Sequence, residues 1–139
     1  MTMVATRAGR AVIAKALKAE SPGVSDGLTV KLFKVNYTPT TISEEADFTE
    51  AEFTGYAPAT TTYGDTSGPT LATDDQVMRI SGAPLVWDCT AAPETIYGWY
   101  LVDDLSGDVL FAEKYDTPHV LEVGSRHTLF LDIAIGACG

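Results

Sequence analysis

The sequence has 139 residues, of which 45% are hydrophobic and 20% are charged, and these values are typical of one globular domain rather than of a disordered chain. No stretch approaches about 18 consecutive apolar residues, so no membrane span is predicted, and the mixture of basic and apolar residues near the N-terminus is not that of a signal peptide. The net charge of −10 is unevenly divided, because residues 1–34 carry +4 and residues 35–139 carry −14. So acidic a body repels phosphate backbones, which argues against nucleic-acid binding.

Residues 1–27 are predicted to form an N-terminal arm with one short helix. Between Thr6 and Ala19 the apolar residues share one side of a helix and the basic residues lie largely elsewhere, and Ser-Pro-Gly at 21–23 ends the pattern. The apolar positions are Val12, Ile13, Ala16 and Leu17, and the basic ones are Arg10, Lys15 and Lys18. Two interpretations stay open: a solvated basic face, or an arm that docks on an acidic surface, either a partner's or that of its own body.

Residues 28–139 are predicted to form a single β domain. Leu28–Val35 alternates in period two, and the clearest hairpin joins residues 95–102 to residues 108–112. Seven to eight strands separated by turns favour a mainly β fold, an antiparallel β-sandwich that is jelly-roll or Greek-key-like with one short N-terminal helix, over an α/β fold. The remaining predicted strands are 53–63, 77–80, 85–87, 119–123 and 127–135, and the last two are expected to pair with each other.

Two connections stand out by their length and composition. Asn36–Glu52 is an acidic connection of seventeen residues without an obvious strand, and connections of this length are often functional. Gly64–Asp75 is rich in turn-forming residues and is predicted to be a mobile loop.

The motifs of common enzyme classes are missing from the sequence. No phosphate-binding loop, dinucleotide-binding glycine motif or zinc-protease motif is present, and the serines lack a nucleophile-elbow context. The two histidines, His119 and His127, could form a transition-metal site with Asp116 or Asp132, but surface histidines on a β-ladder are the favoured interpretation. We therefore expect no enzyme activity, no cofactor and no metal ion that folding requires.

The remaining ligand-type residues are also interpreted as structural. Asp103, Asp104 and Asp108 surround the predicted hairpin turn, and turn formation is favoured over a calcium site because the spacing matches no compact calcium loop. Cys89 and Cys138 are too few for a disulfide scaffold. We expect free thiols, and the alternative is a bridge that ties the C-terminal tail to the body.

Aromatic residues concentrate around one predicted strand. In residues 96–101 both faces carry bulky side chains, which predicts a strand that is buried on both sides or one whose outer face meets a partner. Core packing is the first interpretation, a protein interface is the second, and a platform for carbohydrate stacking is the third. The aromatic residues concerned are Trp87, Tyr97, Trp99, Tyr100, Phe111 and Tyr115.

Several segments form a series in chain order. A basic helical start leads to Leu28–Phe33 and Asn36–Pro39, then to Ala46–Ala57, and near the C-terminus to Glu94–Asp103 and Gly107–Lys114. This series resembles small virion proteins of tailed bacteriophages, a group of head-decoration (cement) and tail-associated β-proteins. The resemblance covers about residues 10–135. It offers no catalytic residues and implies nothing about the two cysteines.

The resemblance implies a structural virion protein, first of all a capsid cement protein that binds and stabilises the shell of the major capsid protein. It also implies contacts with other virion proteins, a homo-oligomer, for which a trimer is expected, and a place on the capsid surface after assembly in the host bacterial cytoplasm. The alternatives are a tail-associated or receptor-contacting virion protein and, in another class, a carbohydrate-binding β-sandwich module. The residues expected to contact a partner are Arg7, Arg10, Lys15, Lys18, Glu44, Glu45, Tyr97 and Trp99.

Overall fold

The computed structural model describes residues 2–11, 27–62, 70–72, 77–81, 84–104 and 106–136. Within these ranges the chain forms ten β-strands, a helical segment at residues 7–11 and a short 3₁₀ helix at Glu45–Asp47. The strands are β1 (Thr2–Ala5), β2 (Gly27–Phe33), β3 (Ala59–Thr62), β4 (Thr70–Ala72), β5 (Val77–Ser81), β6 (Leu85–Asp88), β7 (Glu94–Asp103), β8 (Val109–Leu121), β9 (Arg126–Leu129) and β10 (Asp132–Gly136). None of the described helices is long and apolar enough to cross a membrane.

The strand pairs of the described residues are all antiparallel. Five strands form a large sheet in the order β1-β8-β7-β2-β3, three form a sheet in the order β10-β5-β4, and β6 pairs with β9. The mainly β, antiparallel fold predicted from the sequence is therefore confirmed, and the arrangement is consistent with a β-sandwich.

Strand β7, in the middle of the large sheet, is buried on both of its faces. Trp99 and Leu101 point to one side, with Leu32 of β2 opposite Trp99, and we call this side the Trp99 face. Tyr100 and Val102 point to the other side, which we call the Tyr100 face. Because bulky residues alternate onto both faces, the sheet needs a cover on each side, as the pattern in residues 96–101 predicts.

The Trp99 face is covered by the β6–β9 pair. Trp87 of β6 and Leu129 of β9 are buried in one apolar cluster with Trp99, and Cys89 at the end of β6 joins them as a free, buried thiol. The indole nitrogen of Trp87 donates a hydrogen bond to the carbonyl oxygen of Ala57 at 2.7 Å, so the polar atom of this buried side chain is satisfied.

The Tyr100 face is covered by the long connection between β2 and β3. The ring of Phe48 stacks on that of Tyr100 with 4.4 Å between centroids and makes edge contacts with Phe33 and Tyr37 at 5.2 and 5.0 Å. The connection Asn36–Glu52 contains the 3₁₀ helix and an isolated β-bridge at Glu50, so the prediction that it lacks a strand is confirmed. It lies on the sheet and contributes Phe48 and Ala51 to the core.

The expected pairing of residues 119–123 with 127–135 is wrong. Strand β8 runs without a break from Val109 to Leu121, whereas β9 pairs with β6 and β10 pairs with β5. Residues 119–121 pair with residues 94–96 of β7, and β9 joins β6 instead. The physical reason is apolar burial, because this position places Leu129 of β9 in one buried cluster with Trp87 and Trp99.

Two short strands were missed by the sequence pattern. Strand β1 pairs with β8, so residues 2–5 belong to the large sheet and not to a separate arm. Strand β4 lies inside the segment 64–75 that was expected to be a mobile loop, and it pairs with β5. The strand expected at residues 53–63 is shorter, β3. The other residues of the expected loop, 64–69 and 73–75, lie outside the described residues. The same holds for residues 12–26, which include most of the expected helix.

Gly98 is required by the close approach of two neighbours. A Cβ atom at this position would lie 2.1 Å from the carbonyl oxygen of Glu113 and 2.7 Å from the ring of Phe33. We expect Gly98→Ala to lower the free energy of unfolding by about 3 kcal/mol or to prevent folding, because neither backbone nor core ring can move away freely. Urea-induced unfolding measures this loss.

Gly107→Ala is the matched control for this substitution. Gly107 has a φ of 74°, but a Cβ atom at this position would have no neighbour within 4 Å. Gly107→Ala is therefore disfavoured only by the left-handed backbone conformation, which should lower the free energy of unfolding by about 1–2 kcal/mol. An equal or smaller loss for Gly98→Ala than for Gly107→Ala would contradict the steric argument.

Candidate functional site

Two histidines meet where the large sheet and the β6–β9 pair come together. His119 lies on β8 and His127 on β9, and the turn formed by residues 122–125 folds one strand over the other. Their Nδ1 atoms are 3.2 Å apart, with the two rings nearly perpendicular. The histidines therefore link two layers of the fold through their side chains.

The two histidines differ in their surroundings. His127 is only 2% exposed, its Nε2 lies 2.9 Å from the hydroxyl oxygen of Tyr115, and its ring is stacked near Trp87. Burial, with a smaller contribution from the charge of His119, lowers the pKa of His127 to about 4. Burial also raises the pKa of the Tyr115 hydroxyl. His119 is exposed. The expectation of two surface histidines is therefore wrong for His127.

A cavity of about 480 Å³ opens beside this histidine–tyrosine cluster (Tyr115, His119 and His127). Its lining also includes Trp99, Asp116 and Phe130. The three clustered groups form a chain of polar atoms from a half-buried phenol through a buried imidazole to an exposed one, which can hold or pass one proton. Within the described part of the chain, no group of three or more His, Cys, Asp or Glu side chains is arranged to hold a metal ion.

A signal for this cluster exists in the sequence. In the segment 127–131, His127, Leu129 and Leu131 alternate with polar or exposed residues, and all three are buried in the structure. Phe130 is apolar yet 73% exposed, so the sequence alone does not select the inward face; once Leu129 and Leu131 are placed inside, period-two alternation places His127 with them. The rings of Tyr115 and His119 are in contact, with 5.5 Å between centroids, but the β7–β8 register is irregular between Lys114 and His119, so simple alternation does not predict this contact. The approach of β9 to these two residues is the part that no local pattern reveals.

Residues 6–10, which we call the root of the arm, are held on the body by hydrogen bonds and close packing. The hydroxyl of Thr6 donates to carbonyl oxygens of β8, and the amide of Arg7 donates to the carbonyl oxygen of Thr41 at 2.8 Å. A Cβ atom on Gly9 would lie 2.0 Å from the carbonyl oxygen of Leu110, so the backbone packs closely there. Arg7 and Arg10 are exposed, and neither guanidinium forms an ion pair with another described residue.

The predicted acidic contacts, Glu44 and Glu45, lie beside this root. Both line a cavity of about 780 Å³ together with Arg7 and Ile42. Glu44 caps the 3₁₀ helix, and the carboxylate of Glu45 binds the ammonium group of Lys31 at 2.6 Å. Burial alone would lower the pKa of Lys31, but the hydrogen bond with Glu45 and the nearby charge of Glu50 raise it above its ordinary value.

The two aromatic residues expected at an interface have different positions. Trp99 is 3% exposed and belongs to the core, so core packing is the interpretation that its position supports. Tyr97 is half-buried and packs at the border of the cluster on the Tyr100 face.

The predicted turn residues hold the β7–β8 hairpin. Asp103 accepts a hydrogen bond from the hydroxyl of Ser106, and Asp104 accepts one from Thr29. The backbone amide of Asp103 donates to the carbonyl oxygen of Asp108. These contacts support turn formation as their role. Lys15, Lys18 and Cys138 lie outside the described residues.

No protein-family model matches the sequence, and no curated protein matches it either.

The buried His127 predicts a loss of stability in mild acid. Its pKa of about 4 in the folded protein is below the usual 6.5, so the unfolded chain takes up a proton first as the pH falls. Above pH 6.5 the neutral His127 makes its full contribution to the free energy of unfolding. As the pH falls from 6.5 to 4, we expect the free energy of unfolding to decrease by about 3 kcal/mol. Nuclear magnetic resonance titration of the imidazole, with a chelator present, measures the pKa directly.

His119→Gln is the control for the cause of this shift. It removes the neighbouring charge and leaves the burial of His127 in place, so the pKa of His127 stays well below 6.5. A pKa of His127 at or above 6.5 in the folded protein would contradict the prediction.

Proposed function

We propose that this chain is a structural protein of a tailed-phage virion, a capsid cement protein that binds and stabilises the shell of the major capsid protein. The observation that carries the proposal is the series of segments that resembles such proteins. Leu28–Phe33 falls on β2, Glu94–Asp103 is β7, and Gly107–Lys114 begins β8, so these segments are neighbours in one sheet. Ala46–Ala57 supplies Phe48 to the Tyr100 face and Phe53 to the Trp99 face.

A sheet covered on both faces suits this function. A cement protein has to keep its conformation while it binds neighbouring subunits of a shell. Strand β7 is packed on both faces, which makes the centre of the sheet rigid. The exposed side chains then remain for contacts with the shell and with other virion proteins.

The surface proposed for the shell contact surrounds the root of the arm. Arg7 and Arg10 are exposed there, and Ile42, which is 62% exposed, lines the same cavity as Arg7. Each exposed ion pair contributes about 0–1 kcal/mol, so charge alone does not give tight binding. Burial of Ile42 and of the apolar residues in the arm supplies the rest.

The further parts of the proposal concern assembly. We place the protein on the capsid surface as a homo-oligomer, with a trimer as the expected form, after assembly in the host bacterial cytoplasm. A tail-associated or receptor-contacting role is the alternative within the virion. The carbohydrate-binding alternative loses its support, because Trp87, Trp99 and Tyr100 are 4, 3 and 1% exposed and offer no stacking platform.

Locating the protein in purified particles tests the proposal. We expect cryo-electron microscopy of the phage that encodes this chain to show density of the fold described above on the outer surface of the head. Density only at the tail would replace the cement function by the tail-associated one. Particles that lack the protein altogether would refute both.

The arm gives a second test. Replacing Arg7, Arg10, Lys15 and Lys18 with Gln should lower capsid occupancy and weaken its dependence on salt, because fewer charges are neutralised on the shell. The melting temperature of the free protein should hardly change, since the exposed Arg7 and Arg10 form no ion pairs with described residues. Binding to isolated heads and thermal unfolding are the measurements.

Lys114→Gln is the matched control, since it removes a positive charge from the body instead of the arm. Its capsid occupancy should equal that of the unmodified protein. A lower melting temperature with unchanged occupancy in the arm variant would show that the basic residues serve the protein's own fold.

A further inference from the structure

The separation of the two histidine nitrogens fits a shared metal ion. In a tetrahedral zinc site each nitrogen lies about 2.0–2.1 Å from the metal, and at the tetrahedral angle two such nitrogens are about 3.3–3.4 Å apart. The Nδ1 atoms of His119 and His127 are 3.2 Å apart. We propose that His119 and His127 form a binding site for a divalent transition-metal ion of the zinc, nickel or copper class, with both Nδ1 atoms as ligands.

The contact with Tyr115 orients His127 for this role. When Nδ1 of a neutral imidazole binds a metal, Nε2 carries the hydrogen and needs an acceptor. The hydroxyl oxygen of Tyr115 lies 2.9 Å from Nε2 of His127 and supplies one. His127 is also packed against Trp87, so its ring is held in place without the metal. Metal binding therefore costs little conformational entropy at His127.

The position of the pair gives a cation access from solvent. His119 is exposed, and the adjacent cavity of about 480 Å³ is large enough for an ion with its water ligands. Glu113 lines that cavity, and its negative charge attracts cations to it. Imidazole nitrogens prefer transition metals, whereas calcium and magnesium prefer oxygen ligands, so the site selects the former class.

The proposed site takes two ligands from the protein and the rest from water. No third His, Cys, Asp or Glu completes it among the residues that the structure describes. A site with two protein ligands exchanges its ion readily. It therefore agrees with the expectation that folding requires no metal: the ion stabilises the junction of the two layers when bound and leaves a folded protein when removed.

Calorimetric titration of the full chain tests the proposal after treatment with a chelator. We expect one Zn²⁺ per chain to bind saturably, to raise the melting temperature, and to bind equally well in the presence of Mg²⁺. His119→Gln should abolish this binding, and because His119 is exposed the variant should still fold, with a lower melting temperature since Nδ1 of His127 loses its partner. Tyr115→Phe, which removes the acceptor for Nε2 of His127, should weaken binding about tenfold or more.

Glu122→Gln is the matched control, because it removes one negative charge from the adjacent turn and leaves the histidines untouched. Its dissociation constant for Zn²⁺ should equal that of the unmodified chain. In nuclear magnetic resonance spectra, bound Zn²⁺ should fix His127 in the form with hydrogen on Nε2. The absence of saturable binding at millimolar Zn²⁺, or unchanged binding in His119→Gln, would overturn the proposal.

Discussion

The burial of strand β7 on both faces is the constraint on which the rest of the fold depends. Trp99 and Tyr100 are neighbours in sequence, yet each is almost completely buried, on opposite sides of the sheet. One cover is not enough for such a strand, so the chain supplies two: the β6–β9 pair over the Trp99 face and the connection 36–52 over the Tyr100 face. Burying one large aromatic side chain, such as Phe48, contributes about 2–3 kcal/mol, so neither cover is dispensable.

The charges of the connection follow from its place on the sheet. Lys31 lies between Glu45 and Glu50, and Lys34 binds Glu52 and Glu94. Two of the six basic residues among residues 1–34 are thus engaged within the body. Among the described basic residues of this segment, Arg7 and Arg10 are exposed and form no ion pair with another described residue, which is why the proposed shell contact is placed beside them and not on the acidic connection.

Local patterns were enough to predict the centre of the fold from the sequence. Strands β2 and β7 lie within two residues of their predicted bounds, because alternation and a hairpin turn are local signals. The path of the chain after β8 was predicted wrongly, since it depends on the pairing of β9 with β6 and of β10 with β5, which are distant in sequence. Strand β1 has four residues and precedes a helical pattern, so its sequence gives no hint of the pairing.

Alternation can place His127 inside, but no local pattern shows that it meets Tyr115 and His119, because the cluster exists only where β9 crosses β8. A buried imidazole lowers stability unless its polar atoms are paired, and Tyr115 and His119 supply both partners to His127. Apolar contacts between two layers have little directional preference, whereas these two contacts hold only in one alignment of β9 over β8. The cluster therefore fixes how the layers sit on each other. His119 belongs to the large sheet and His127 to its cover, so any ligand that bridges them must stabilise the two layers together.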